Sequence, residues 1–267
     1  NCNYFQLQAQ TAITFRNNSG DVVEFHGLEG TGKTETLYHL MSRCIMPVQS
    51  GGLEVAVVFI DTDYHFDMLR LVSVLEGRSE NESEERVRLC LHRLSVVHCN
   101  CSVQLLLTLH YLENTFSSQL SLSLLVIDSI SSFYWVDRFN GGESTVCQEA
   151  NCLLDRLRRN YGIVIFATTH VIMRNYGSDP GVSEVPGSSS SSSRRWRSAD
   201  RATDFDKPYL CKAWQRIVTH RMLFTKSPVS KDHKQIFSTA CTSITIKGVK
   251  RCSFHVMEDG VKFVCDK

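Results

Sequence analysis

The hydrophobic pattern of the chain alternates between short apolar runs and amphipathic stretches. Runs such as "EVAVVFID" are rich in β-branched residues and apolar enough for a strand that is buried on both faces. Strands are predicted at 21–27, 54–63, 95–99, 121–130 and 163–171. Helical spacing of apolar residues predicts helices at 34–43, 64–77, 80–94, 102–116 and 143–162. This alternation predicts an α/β fold with a mostly parallel central sheet and helices on both faces.

The pattern changes after residue 173. Residues 174–207 are rich in Gly, Pro and Ser, and such a composition cannot bury a core, so we expect a disordered Ser-rich loop there. Residues 1–20 are polar and unpatterned and predict a loose N-terminal arm. Segments 216–226, 243–248 and 252–264 predict a short antiparallel C-terminal extension. We therefore expect a single folded domain over 21–267.

Composition excludes some function classes and leaves others open. Lys and Arg (29) nearly cancel Asp and Glu (28), so attraction to nucleic acid must come from local patches. The apolar runs are too short to span a bilayer, and no membrane association is expected. The 11 cysteines are odd in number and contain no CxxC pair, which favours reduced intracellular thiols over a disulfide framework.

The stretch "EFHGLEGTGKTETLYHL" carries a phosphate-binding loop between a predicted strand and a predicted helix. Glycines let successive N–H groups turn toward phosphate oxygens, and the helix start adds the positive end of its dipole. A lysine neutralises phosphate charge, and a hydroxyl can ligate Mg²⁺. A glycine-rich turn without function is the alternative. The candidate nucleotide-binding residues are Gly27, Leu28, Glu29, Gly30, Thr31, Gly32, Lys33 and Thr34.

A second acid is expected to hold Mg²⁺ together with Thr34. It should follow a buried strand beside the loop strand, and Asp128 at the end of "LLVID" fits that position. An ordinary strand-end aspartate is the alternative, although an acid after four apolar residues needs a partner.

Four segments carry a resemblance to the RecA-like recombinase superfamily, and within it to the eukaryotic recombinase paralogues. They are "EFHGLEGTGKTETLYHL", "GGLEVAVVFIDTDYHFDMLRL", "IDSISSFYWVDRFNGGES" and "KPYLCKAWQ". The resemblance covers about residues 20–265 and implies a RecA-like P-loop ATPase core that uses ATP and Mg²⁺. It further implies a role in homologous-recombination repair of DNA double-strand breaks, in the nucleus with a cytoplasmic pool possible.

The resemblance also indicates where hydrolysis should be weak. Active RecA-like ATPases orient water with a glutamate where this chain has Asp63, whose carboxylate reaches less far. Misplacement of a catalytic group by about an ångström can lower the reaction rate ~10²-fold. The family's γ-phosphate sensor is a glutamine, and this chain has His170 at that position. We therefore expect nucleotide binding with weak or absent DNA-dependent ATPase activity.

Two segments match the DNA-facing loops of the family. The first is 137–144, where Arg138 and Phe139 are the candidate contacts. The second is 174–207, where arginines surround Trp196, as phosphate neutralisation with base stacking requires. A solvated loop is the alternative. The candidate DNA-binding residues of the second segment are Arg174, Arg194, Arg195 and Arg197.

The partners implied by the resemblance are other recombinase paralogues, above all the D-type paralogue, in a hetero-oligomer. Filament-forming relatives carry a Phe-x-x-Ala motif, and residues 1–20 contain none, so self-polymerisation is not expected. Single-stranded or branched DNA is the expected nucleic-acid ligand. The leading hypothesis is a subunit that supports recombinase filament assembly. An active DNA-dependent ATPase and, more remotely, a P-loop small-molecule kinase are the alternatives.

Overall fold

One mixed sheet runs through the part of the chain that the structure describes. The structure, a computed structural model, describes residues 20–78, 84–118, 121–139, 145–170, 210–227, 235–244 and 248–264, with backbone alone at 138, 145 and 146. The strands are β1 Val22–Gly27, β2 Ala56–Asp61, β3 Leu94–His98, β4 Leu122–Asp128, β5 Val164–His170, β6 His220–Lys226, β7 Phe237–Ser243, β8 Lys250–Met257 and β9 Gly260–Val264.

The strand order within these ranges is β3-β2-β4-β5-β1-β6-β7-β8-β9. The first six strands in that order are parallel to one another, and β6, β7, β8 and β9 pair antiparallel. The prediction of a mostly parallel sheet with a short antiparallel C-terminal extension is therefore confirmed. Register pairs Gly27 with His170 and Asp61 with Asp128, so the carboxyl ends of the central strands meet at one edge. Ligands of open α/β sheets bind at such an edge.

Helices cover both faces of the parallel strands. The helices are α1 Lys33–Ile45, α2 Met68–Glu76, α3 Glu84–Leu91, α4 Ser102–Ser118, α5 Tyr134–Phe139, α6 Thr145–Tyr161 and α7 Lys212–Ile217. Local chemistry explains several of their ends. The Asp67 carboxylate accepts the backbone N–H of Arg70 at the start of α2, and α3 begins with two glutamates, which the helix dipole favours.

The alternation of side chains along β2 divides the core into two clusters. Val57 and Phe59 point to one face, where they pack with α1, α2 and α3. Val58 and Ile60 point to the other face, where they pack with α4, α6 and α7. All four side chains are buried, which explains why this strand is a continuous apolar run in the sequence.

Two details of the C-terminal extension differ from the prediction. First, β6 is parallel to β1 as well as antiparallel to β7, and residues 216 and 217 belong to α7. Hydrophobic alternation reports a strand but not the direction of its neighbour. Second, the strand predicted at 243–248 overlaps β7 only at Ser243, where β7 ends, and 245–247 lie outside the described residues. The sequence of β7 is "FSTACTS", whose small and polar residues conceal its period.

Two other boundaries also differ from the predictions. Helix 80–94 is observed as α3, which ends at Leu91, because Leu94 already pairs in β3. Residues 137–139 of the segment matched to the first DNA-facing loop, 137–144, belong to α5. Residues 1–19 of the predicted arm and the whole predicted Ser-rich loop, 174–207, lie outside the described residues. No helix in the described ranges is long and apolar enough to cross a membrane.

Candidate functional site

The glycine-rich loop links β1 to α1 at the carboxyl edge of the sheet. Two of its glycines are required by their surroundings. Gly32 has φ 87°, and a Cβ there would lie 3.1 Å from the Phe254 ring. At Gly27 a Cβ would approach the Phe224 carbonyl oxygen to 2.5 Å. These contacts place the loop tightly over β6 and β8, with the first N–H groups of α1 lacking intrahelical acceptors at its end.

The Lys33 ammonium lies inside the curve of the loop. Its Nζ donates to the carbonyl oxygens of Gly27 and Leu28, both at 2.8 Å, and the residue is only 6% exposed. Burial lowers the pKa of Lys33, and the nearby carboxylates of Asp128, Glu29 and Asp63 oppose that shift. A buried cation held by backbone carbonyls at a helix start is suited to neutralise phosphate charge.

Thr34 and Asp128 are in direct contact, although 94 residues separate them in sequence. The Thr34 Oγ1 donates to Asp128 Oδ2 at 2.8 Å, and Thr168 donates to the other carboxylate oxygen. Burial raises the pKa of Asp128 despite these two hydrogen bonds. The arrangement joins a hydroxyl and a carboxylate beside the phosphate loop, which are hard oxygen ligands of the kind that Mg²⁺ prefers.

Asp63 and His170 form a pair at the same edge. His170 Nε2 lies 2.9 Å from Asp63 Oδ2, and the Ser132 Oγ donates to Oδ1 at 2.6 Å. Burial opposes ionisation of Asp63, but the hydrogen bonds from His170 and Ser132 hold its pKa below the usual range. Both carboxylate oxygens are therefore engaged, which leaves Asp63 poorly prepared to act as a general base.

A partly buried ion pair beneath the loop connects three strands. Arg221 Nε on β6 donates to Glu24 Oε2 on β1 at 2.6 Å, and Thr169 on β5 donates to Glu24 Oε1 at 3.1 Å. His26 Nδ1 lies 2.9 Å from the Thr169 hydroxyl, and burial lowers the pKa of His26. A partly buried pair of this kind fixes the relative position of the strands that carry the loop and the Asp63–His170 pair.

The structure describes only the first of the two candidate DNA-binding segments. Phe139 ends α5 with 84% of its surface exposed, and its ring centroid lies 6.2 Å from that of Trp135. The backbone of Arg138 belongs to the same helix, and its side chain lies outside the description. The candidates of the second segment, Arg174, Arg194, Arg195 and Arg197, lie outside the described residues.

Sequence analysis missed three polar residues of this edge. Thr168 donates a hydrogen bond to Asp128, and Ser132 donates one to Asp63. Glu24 forms the ion pair with Arg221. The sequence contains a partial signal for these residues. The predicted strand that ends in "ATTH" carries two hydroxyl side chains, and the glutamate of "EF" interrupts an otherwise apolar predicted strand. Across the described ranges, no group of three or more His, Cys, Asp or Glu residues could hold a metal ion.

Comparison with known proteins shows which family the chain resembles. The Rad51 family profile matches residues 12–185. The chain is 49% identical over 249 residues to the DNA repair protein XRCC2 of Mus musculus, covering 91% of this chain and 85% of that protein. It is 26% identical over 269 residues to the XRCC2 homologue of Arabidopsis thaliana, covering 78% and 70%. It is 29% identical over 158 residues to the DNA repair protein RAD51 of Mycosarcoma maydis, covering 58% and 45%.

Proposed function

The chain belongs to the Rad51 family, and from that premise we propose that it is a nucleotide-binding subunit of a recombinase-paralogue complex. In this proposal it serves homologous-recombination repair of DNA double-strand breaks in the nucleus, binds DNA and supports recombinase filament assembly. The observation that carries the nucleotide part is the 2.8 Å contact between Thr34 and Asp128 beside the glycine-rich loop.

The residues present fit ATP with Mg²⁺. The loop backbone and the Lys33 ammonium would hold the phosphates, and Thr34 and Asp128 would hold the metal, directly or through water. When bound, the metal would neutralise negative charge on the phosphate oxygens. The buried carboxylate is already oriented by two threonine hydroxyls, so little rearrangement is needed for it to face a cation.

The role in repair rests on relatives. Mouse XRCC2 is named a DNA repair protein, and its match extends over 91% of this chain. A RAD51 homologue from mouse, named RAD51 homolog 2, is 34% identical over 115 residues. We therefore propose other recombinase paralogues, the D-type first, as partners in a hetero-oligomer. The small-molecule kinase alternative gains no support from these relatives.

Replacing Asp128 by asparagine is expected to remove the magnesium dependence of ATP binding. The amide keeps the size of the side chain but lacks the charge that a divalent cation requires. In wild type, ATP affinity should be higher with Mg²⁺ than with EDTA. In Asp128→Asn the two affinities should agree within about twofold, since the charge-assisted contact is gone. Titration calorimetry with and without Mg²⁺ measures both.

The matched control for that variant is Asp61→Asn. Asp61 is also buried at the end of the neighbouring strand, but its carboxylate accepts the backbone N–H groups of His65 and Phe66. This control should keep the magnesium dependence. Circular dichroism should show that both variants are folded. A magnesium dependence that survives in Asp128→Asn would exclude Asp128 as the metal ligand.

Neutralising Arg194, Arg195 and Arg197 together is expected to flatten the salt dependence of single-stranded DNA binding. Each lost phosphate contact lowers the slope of log affinity against log salt by about 0.7, so the triple variant should lose up to about 2. Fluorescence anisotropy over a salt series measures the slope. The control neutralises three exposed arginines elsewhere, Arg86, Arg88 and Arg251, and should leave the slope unchanged. Equal slopes for wild type and the first triple variant would indicate a merely solvated loop.

A further inference from the structure

Two thiols meet where α6 packs against α7. The Cys147 Sγ donates to the Cys211 Sγ at 3.7 Å, although 64 residues separate them. Both residues are partly exposed, unlike Cys44, Cys90 and Cys99, which are buried. A disulfide needs a sulfur–sulfur distance of about 2.05 Å, so the two sulfurs must approach by roughly 1.7 Å. Rotation about the Cα–Cβ bond of either cysteine moves its sulfur by a comparable distance.

The surroundings of the pair favour a thiolate on Cys211. The Asn151 amide nitrogen lies 3.1 Å from the Cys211 sulfur and 3.5 Å from the Cys147 sulfur. The hydrogen bond from Cys147, together with backbone N–H groups of Trp214 and Ala213, lowers the pKa of Cys211 to about 6 despite burial. The same shared proton raises the pKa of Cys147. One sulfur is thus a nucleophile at neutral pH, and its neighbour keeps the proton.

We propose that Cys147 and Cys211 are a reversible dithiol–disulfide pair that hydrogen peroxide oxidises and a dithiol reductant restores. The geometry supplies an attacking sulfur at the N-cap of α7 and a resolving sulfur on α6 within 3.7 Å, and the two helices share one hydrophobic cluster. Asn151, one helical turn after Cys147, is 2% exposed and positions its amide between the two sulfurs. The disulfide would tie α6 to α7.

The reaction balances with one peroxide. The Cys211 thiolate attacks one peroxide oxygen, the O–O bond breaks, and hydroxide leaves and takes up a proton to give water. Cys211 is now a sulfenic acid. The Cys147 sulfur attacks the Cys211 sulfur, the S–S bond forms as the S–O bond of the sulfenic acid breaks, and the departing hydroxide takes the Cys147 proton to give a second water. Two thiols lose two electrons in total, and peroxide is reduced to two waters.

Wild-type protein tests the proposal without any substitution. The full chain is titrated with hydrogen peroxide, its remaining thiols are alkylated, and its peptides are mapped by mass spectrometry without reductant. The expected product is a peptide pair joined through Cys147 and Cys211, two hydrogens lighter than the separate peptides, which disappears with dithiothreitol.

In the untreated protein, iodoacetamide should modify Cys211 about tenfold faster at pH 7 than at pH 5, because a pKa near 6 lies between these values. Among the residues that the structure describes, the titratable groups facing the pair are the two thiols themselves and Asp137, which lies near Cys147.

Two variants separate the attacking sulfur from the resolving one. In Cys147→Ser, peroxide should leave a sulfenic acid on Cys211 that dimedone captures. Cys152→Ser is the control, since Cys152 is exposed on the same helix, and it should form the linked peptide as wild type does. Either of two results would overturn the proposal: Cys147 and Cys211 both remaining open to alkylation after peroxide, or Cys152 becoming linked or trapped in their place.

Discussion

Replacing Lys33 by alanine is expected to weaken the binding of ATP with Mg²⁺ by about tenfold or more. The ammonium is buried within the phosphate loop, so its contact with phosphate would be charge-assisted and poorly screened by solvent. Such a contact contributes ~1.5–3 kcal/mol. Titration calorimetry on the folded variant measures the loss, which should appear with ATP and with ADP.

Lys33→Met distinguishes the charge from the packing of the side chain. The methionine fills similar space without donating to the carbonyl oxygens of Gly27 and Leu28, and we expect it to bind ATP as weakly as the alanine variant. Lys262→Ala removes an exposed lysine that pairs with Asp259, and it should bind ATP as wild type does. Equal affinity of wild type and Lys33→Ala would refute the phosphate-binding role of the loop.

The central parallel strands were predictable because burial on both faces leaves a continuous apolar run. The runs that became β2 and β4 are almost purely apolar, and the structure buries them completely or nearly so. The antiparallel half was harder to predict. β7 contains Ser238, Thr239 and Thr242, so its sequence has no apolar alternation strong enough to separate it from a loop. Tertiary pairing with β6 and β8 determines that it is a strand.

At the candidate site, the sequence predicted residue types better than it predicted their partners. Asp128 was identified because a carboxylate after apolar residues needs a partner, and Thr34 is one of the two that it has. The Asp63–His170 pair could not be predicted in the same way. Its two members were identified separately by the resemblance. They come to 2.9 Å because β2 and β5 flank β4 and end at the same edge of the sheet. Spacing of 107 residues carries no information about such a contact.

The rate of ATP hydrolysis distinguishes a nucleotide-binding subunit from an active ATPase. We expect the isolated chain to hydrolyse ATP far more slowly than the usual enzyme median of about 10 s⁻¹, even with single-stranded DNA. A general base must hold a water within hydrogen-bond reach and in line with the γ-phosphorus. Asp63 has the shorter carboxylate, and both of its oxygens already accept hydrogen bonds, from His170 and Ser132. Its lowered pKa makes it a weaker base still.

Three variants resolve which of these features limits the rate in a phosphate-release assay. Asp63→Glu should raise turnover if reach alone is limiting. His170→Gln removes an imidazole that is 2.9 Å from the carboxylate and supplies the neutral amide that the resemblance to RecA-like recombinases implies at this position. If the pair itself blocks the base, the double variant should exceed the product of the two single effects, because the residues are in contact. If none of the three hydrolyses ATP, the site is incomplete without residues from a partner subunit. Brisk DNA-stimulated hydrolysis by the wild-type chain alone would refute the subunit proposal and establish the DNA-dependent ATPase.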